Sequence, residues 1–237
     1  MGTNVWTDPC IISPSLICLD LLNLEREVRT LERCGVELLH VDILDGHFSP
    51  SMPLGLDAVR QLRMKTDMAF DCHLMVTAQD WFVDELLDIG VDQIVFHAET
   101  QPHIDGMLNR IHARGVRAGV ALKPATPLSE LEYVLDKCDA VTLMLINPGY
   151  AFMKGEQQVP YADRKIRELR AMIRSRGLDT RIELDGRIST KNIVDWGAGV
   201  ADVFVTGSTC LNRSDLPGSF ERLYALREKV LGRRGEV

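Results

Sequence analysis

The chain reads as a single-domain α/β protein, a (β/α)8 barrel of the TIM type, on three observations. Eight apolar runs of strand length recur along 237 residues, with helical spacing of apolar residues between them. Several helical stretches finish at a glycine just before the next run, as at Gly35-Val36, Gly90-Val91, Gly115-Val116, Gly177-Leu178 and Gly199-Val200. Glycine closes a helix in the left-handed conformation without a Cβ penalty. Eight strand-helix units fill the chain at close to the usual size of such a barrel, about 250 residues. One domain over 1–237, with its core at about 11–230, leaves no room for a second. No GxGxxG opens the first helix, which weakens an open dinucleotide-binding sheet.

Taken in order, strand 1 is expected over 11–17, and the helix after it carries Leu24, Val28 and Leu31 on one face. Strand 2, over 38–45, places His40 and Asp42 two residues apart, so both project to the same side. Strand 3, over 69–75, repeats that spacing in Asp71, His73 and Met75. Strands 4, 5 and 6 follow at 93–99, 117–123 and 140–146, and the sixth helical pattern shows Ile166, Leu169, Met172 and Ile173. Strand 7, over 181–186, brings Asp185 to its end, and strand 8 is expected over 203–209. Charged and imidazole groups on an inward strand face cost several kcal/mol, roughly, unless paired or bound to metal. Catalytic groups of such barrels gather at the C-terminal strand ends. His40, Asp42, His73 and Asp185 therefore become neighbours around one mouth.

Composition narrows the function classes. A net charge of -7 argues against general nucleic-acid or anionic-membrane binding, while leaving local phosphate pockets open. Cys10, Cys18, Cys34, Cys72, Cys138 and Cys210 form no CxxC pair and read as reduced core cysteines. No basic-then-apolar leader and no run near the ~18 apolar residues of a membrane span is evident, so a soluble cytoplasmic protein is expected.

Six local sequences then become recognisable. They are Ile12-Ser13-Pro14-Ser15, the stretch His40 to Phe48 (HVDILDGHF), Asp71-Cys72-His73-Leu74-Met75, Pro124-Ala125-Thr126-Pro127-Leu128, Asn147-Pro148-Gly149 and Glu183-Leu184-Asp185-Gly186. In order and spacing they resemble the ribulose-phosphate 3-epimerase family from about Ile11 to Leu211, with close relatives acting on allulose 6-phosphate sharing most of them. The resemblance implies one divalent metal held by His40, Asp42, His73 and Asp185, with Asp42 and Asp185 also serving as catalytic acid and base. The chemistry supports that assignment. Epimerising a carbon beside a ketone removes a proton from one face and returns one to the other, a task for two opposed carboxylates. A cation stabilises the enediolate left behind. Two imidazoles and two carboxylates suit Zn, Fe, Co or Mn better than Mg or Ca.

The resemblance also implies a substrate-binding set. Ser15 matches a substrate-contacting serine, and His73 faces the same site. Met75 and Met144 match methionines beneath the reacting carbons, where Leu44 replaces another. Gly186, Gly207 and Ser208 match positions whose backbone N–H groups receive the phosphate. Gly149 opens the loop after strand 6, which departs from the family. It is about three residues longer by alignment with the family's Gly-Gly-Gln, and lacks the glycine pair that lets backbone approach a phosphate. Arg187 replaces a second glycine and offers either a bidentate phosphate contact or a solvated loop edge. Oligomers, dimers or hexamers, are implied too.

Simpler readings compete at each position. A lone strand histidine is ordinarily a satisfied core residue, and a strand-end aspartate ordinarily caps a loop. Neither explains four such groups around one mouth. Asp45 and His47 read as loop-orienting residues, His97 as a strand-end hydrogen-bonding residue outside the site, and His103 and His112 as surface. Ribulose 5-phosphate and xylulose 5-phosphate are the expected phosphorylated ketose pair. The alternatives are an epimerase of allulose 6-phosphate or another ketose phosphate, an inactive sugar-phosphate-binding barrel, and a metal-independent lyase using Lys123.

Overall fold

Parallel pairing of the eight apolar runs sets the architecture of the computed structural model, which describes residues 5–150 and 153–232. The elements alternate as β1 (Ile11–Pro14), α1 (Leu24–Arg33), β2 (Leu38–Leu44), α2 (Leu56–Arg63), β3 (Ala69–Met75), α3 (Gln79–Ile89), β4 (Gln93–His97) and α4 (Ile104–His112). The chain continues with β5 (Arg117–Leu122), β6 (Ala140–Met144), α5 (Ala162–Ser175), β7 (Arg181–Asp185), α6 (Thr190–Trp196), β8 (Val203–Thr206) and α7 (Leu216–Gly232). The strands pair in the order β1-β8-β7-β6-β5-β4-β3-β2. The remaining seam, between β1 and β2, is joined by one parallel bridge from Ser15 to His40. Ser13 Oγ donates across it to the Leu38 carbonyl at 3.4 Å.

Side chains facing outward from the strands, such as Phe70, Phe96 and Phe204, pack with Leu31, Leu86 and Ile166 from the helices in one continuous core. Fully burying such a side chain is worth about 1.5–3 kcal/mol. The barrel interior differs from one end to the other. Ile11, Leu38 and Val203 make an apolar plug at the N-terminal end. Above it, His40, Asp71, His73, Gln93, Thr142 and Glu183 are buried. Strand register places His40 beside Asp71 and Asp42 beside His73. It also sets Thr142 beside Glu183 and Met144 beside Asp185. The five helix-closing glycines have φ from 65° to 91°, as their positions require.

The structure departs from the expected elements at strand ends and at one connection. Strand pairing stops at Pro14, His97, Met144 and Thr206, several residues before the apolar runs end, because the chain turns into the mouth loops there. Leu16, Leu145 and Ile146 stay buried after the turn, so burial pattern alone overextends the strands. Seven α-helices occur among the described residues instead of eight. Two 3-10 turns, Leu128–Leu131 and Leu135–Lys137, span the connection from β5 to β6. Pro124 and Pro127 disfavour helical backbone at the entry. Leu128, Leu131 and Val134 then recur every three residues, the period of a 3-10 turn. No helix among the described residues is long and apolar enough to cross a membrane. Of the unusual strand-6 loop, Ala151 and Phe152 lie outside the described residues.

Candidate active site

β2 supplies His40 and Asp42, β3 supplies His73, and Asp185 closes β7, so three strands deliver four side chains to the C-terminal mouth. One donor atom from each lies within 4.8 Å of all the others. His40 Nε2 is 3.3 Å from Asp42 Oδ1. His73 Nδ1 is 3.7 Å from the same oxygen and 3.6 Å from Asp185 Oδ2. Both imidazoles are fully buried, yet His40 Nε2 and His73 Nδ1 make no hydrogen bond. Leaving a buried polar atom unsatisfied costs about 1–3 kcal/mol. Nitrogen and oxygen ligands held at about 2.0–2.2 Å from a cation sit roughly 3–3.6 Å apart, close to the spacings found here. The cluster is able to hold a metal ion.

Electrostatics sharpen that reading. Burial alone would depress the His40 pKa, but Asp42, Asp71 and Glu183 raise it well above 6.5. His73 is raised in the same way, burial being outweighed by the adjoining Asp185 and Asp42 carboxylates. Burial pushes the Asp42 carboxyl up, and the adjoining His40 and His73 imidazoles hold it far below the usual carboxylate range. The carboxylates that favour protonation of these imidazoles would also favour a cation on the same atoms, so protons and a metal ion compete there.

Beneath the cluster lies a supporting layer. Asp71 Oδ2 accepts from His40 Nδ1 at 2.8 Å, and Asp71 Oδ1 accepts from Gln93 Nε2 at 2.8 Å. Glu183 Oε1 accepts from the Thr142 hydroxyl at 3.0 Å. Burial and the Asp71 charge push the Glu183 pKa well up, while Asp71, despite its own burial, is held below the usual carboxylate range by His40. On the other side, His73 Nε2 lies 3.0 Å from His97 Nε2, and His97 Nδ1 lies 2.8 Å from Glu99 Oε2. Burial lowers the His97 pKa to about 4. Glu99, despite its burial, is held at about 2 by His97, the Thr126 hydroxyl and the Lys123 N–H.

His97 therefore corrects its sequence assignment. It is a strand-end hydrogen-bonding residue, but it belongs to the site's immediate surroundings, with its ring stacked on His73 at 5.1 Å. His103 and His112 are exposed, as expected. Asp45 orients its loop by accepting from the N–H groups of His47 and Phe48 at 2.8 Å and of Thr77 at 2.7 Å. Asp71 and Glu183 were legible only as the inward i,i+2 partners of His73 and Asp185, a spacing that marks the face without giving the contact.

A cleft of about 660 Å³, mouth included, opens above the cluster and is lined by Ser15, Asp42, Met75, Met144, Gly149, Asp185, Gly186, Arg187, Gly207 and Ser208. Leu44 joins the two methionines in its apolar floor. Ser15 Oγ donates to Asp42 Oδ2 at 2.6 Å. Gly149 has φ +78°, and a Cβ there would fall 2.1 Å from Ser49 Oγ. Gly186 has φ +111°, and its Cβ would lie 2.8 Å from the Ile146 side chain. Arg187, at φ 51°, is the one non-glycine residue with positive φ among those described. Its Nη2 donates to the Met153 carbonyl at 3.1 Å, tying the strand-7 and strand-6 loops together. Lys123 is not among the cleft-lining residues; its Nζ lies 4.0 Å over the Phe48 ring.

Residues 11–211 match the ribulose-phosphate 3 epimerase family. The chain belongs to this family. The ribulose-phosphate 3-epimerase of Escherichia coli (strain K12) is 36% identical over 221 residues, covering 93% of this chain and 97% of that protein. The ribulose-phosphate 3-epimerase of Rhodobacter capsulatus is 38% identical over 197 residues, covering 83% and 84%. As a member of the ribulose-phosphate 3-epimerase family, the protein is an isomerase of the epimerase class. More distant likenesses show the barrel alone. A 3-keto-L-gulonate-6-phosphate decarboxylase from Vibrio cholerae O1 biovar El Tor superposes with TM-score 0.71 at 13% identity, covering 94% of this chain and 99% of that one. A 3-hexulose-6-phosphate synthase from Salmonella typhimurium does so with TM-score 0.67 at 16% identity, covering 93% and 99%.

Proposed function

We propose that the protein is a metal-dependent ketose-phosphate 3-epimerase that interconverts D-ribulose 5-phosphate and D-xylulose 5-phosphate. The observation that carries this reading is the pair of carboxylates, Asp42 and Asp185, at the cleft floor beside two buried imidazoles whose free nitrogens face them. His40, Asp42, His73 and Asp185 would hold the cation, with Zn, Fe, Co or Mn matching the mixed nitrogen and oxygen donor set. A divalent ion bound there supplies positive charge for the oxygen anion that develops as the C3 proton leaves. Asp42 and Asp185 move the protons, one accepting from C3 on one face while the other donates on the opposite face, and they exchange roles with reaction direction. Ser15 orients Asp42 through their 2.6 Å hydrogen bond. Leu44, Met75 and Met144 exclude water from the reacting carbons without offering a competing donor.

In this reading the phosphate lies against the backbone of Gly186, Gly207 and Ser208, with Gly149 and Arg187 at the rim. All three of these glycines stand where a Cβ would collide with a neighbouring side chain, so only bare backbone fits at these positions. The family names of the relatives favour the pentose phosphates, and the altered strand-6 loop favours examining allulose 6-phosphate beside them. Cysteines that form no disulfide among the described residues suit a reducing compartment such as the cytoplasm.

Metal-loaded protein incubated with a panel of ketose phosphates in D2O, followed by NMR at C3, tests the assignment. Exchange with highest kcat/KM for D-ribulose 5-phosphate is expected. Preference for allulose 6-phosphate would move the substrate and keep the chemistry, whereas no exchange with any member despite bound metal would defeat the epimerase reading of the site.

A further inference from the structure

His40 and His73 reach their proton partners by different routes. For His40 the route is direct, since the Asp71 carboxylate takes the Nδ1 hydrogen and leaves Nε2 to face the cluster. His73 has no carboxylate behind it. Its Nε2 meets another imidazole nitrogen, His97 Nε2, at 3.0 Å. Two neutral imidazole nitrogens can share a hydrogen bond only if one carries the proton and the other a lone pair. Which is which decides whether His73 Nδ1 faces the cluster with a lone pair or with a hydrogen.

The remaining contacts decide it. Glu99 Oε2 lies 2.8 Å from His97 Nδ1. Glu99 Oε1 accepts from the Lys123 N–H at 2.7 Å and from the Thr126 hydroxyl. A carboxylate receiving three donors is an acceptor only, so His97 must present N–H at Nδ1. His97 is buried, with His73 stacked at 5.1 Å and Phe48 at 4.6 Å, and Lys123 Nζ sits over the Phe48 ring. With its single proton on Nδ1, neutral His97 has a lone pair at Nε2. His73 must then donate from Nε2, and in the neutral ring its Nδ1 is left unprotonated toward Asp42 and Asp185.

We propose that Glu99 and His97 are positioning residues that fix His73 as its Nε2–H tautomer and so present its Nδ1 lone pair to a metal ion. The proposal rests on the reading of His73 as a metal ligand. It extends carboxylate control of ligand orientation through one intervening imidazole, and gives both metal histidines a carboxylate as the origin of their tautomer.

Glu99→Gln tests it because the substitution keeps shape and reverses one hydrogen bond. The amide oxygen stays with the Lys123 N–H, which needs an acceptor, so the amide nitrogen faces His97 Nδ1 and donates. His97 then carries its proton on Nε2, and neutral His73 is driven to Nδ1–H. Long-range 1H–15N correlation spectra of histidine-labelled metal-free protein, recorded at a pH high enough for His73 to be neutral, are expected to show Nε2–H at His73 in the wild type and Nδ1–H in Glu99→Gln. Cobalt(II) affinity, read by chelator competition, is expected to fall about 10- to 100-fold. Thr126→Val removes a loop anchor while keeping the carboxylate, and is expected to hold affinity within about twofold by the same reasoning. An unchanged tautomer and affinity in Glu99→Gln would overturn the relay, as would equal weakening in Thr126→Val. Wild-type protein that binds no cobalt would instead overturn the metal reading on which the relay depends.

Discussion

Ser15 Oγ donates to Asp42 Oδ2 at 2.6 Å, which leaves Asp42 Oδ1 facing His40 and His73. The two carboxylate oxygens therefore have separate partners. A charge-assisted hydrogen bond of this kind is worth about 1.5–3 kcal/mol. Ser15→Ala is expected to lower kcat by roughly 10- to 100-fold, with little change in KM. A rise in KM with kcat unchanged would make Ser15 a substrate contact alone.

Removing either proposed proton carrier has a larger effect. Asp42→Asn and Asp185→Asn are each expected to abolish deuterium exchange at C3 and to weaken cobalt binding, because each removes a proton-transfer group and a metal charge together. Either variant retaining near-native exchange with metal bound would show that the two-carboxylate mechanism is wrong.

Arg187 separates phosphate recognition from chemistry. Arg187→Gly relieves a left-handed residue at φ 51° while removing the guanidinium from the cleft. KM for the phosphorylated ketose is expected to rise about tenfold or more, the size of a lost charged hydrogen bond, with kcat within about threefold by the same logic. No change in KM would confine Arg187 to bracing the Met153 carbonyl.

Crowding at Gly149 gives a stability prediction. Gly149→Ala places a methyl group 2.1 Å from Ser49 Oγ at φ +78°, and is expected to cost about 1–3 kcal/mol in denaturant unfolding. Adding Ser49→Gly is expected to restore part of that loss and not all, since the backbone strain remains. Full additivity of the two substitutions would mean that the residues do not touch.

Metal binding is expected to depend on pH in a definite direction. His40 and His73 titrate above 6.5 in the metal-free protein, so binding must displace protons. Affinity should rise as pH climbs above 6.5, with proton release visible as a buffer-dependent heat of binding. In the metal-free protein, raised imidazole pKa values add stability that is full below 6.5 and is lost as pH rises through the folded-state values. The lowered Asp42 pKa adds stability present above 3.8 and lost on acidification. Thermal unfolding of the metal-free protein should thus show a maximum between these ranges, and an alkaline optimum would contradict the assignment.

Much of this site was visible along the chain because strand periodicity fixes which residues share a face. His40 and Asp42, and Asp71 and His73, are two apart on strands whose other faces are apolar. What single strands cannot contain is the alignment between them. The His40–Asp71 and Asp42–His73 pairings come from the offset of β2 against β3, and the Glu99–His97–His73 chain crosses from β4 to β3. His97 was misplaced for that reason. The connection after β5 failed differently: prolines and a three-residue apolar repeat there compete with the helical pattern found in the other seven units.

The seam at Ser15 and His40 makes ring closure and site assembly one event. One edge of that junction carries the hydroxyl that orients Asp42, and the other carries His40 and Asp42 themselves. A ligand that held Asp42 in the orientation Ser15 gives it would bind the closed ring better than an open one, and by that difference would favour closure.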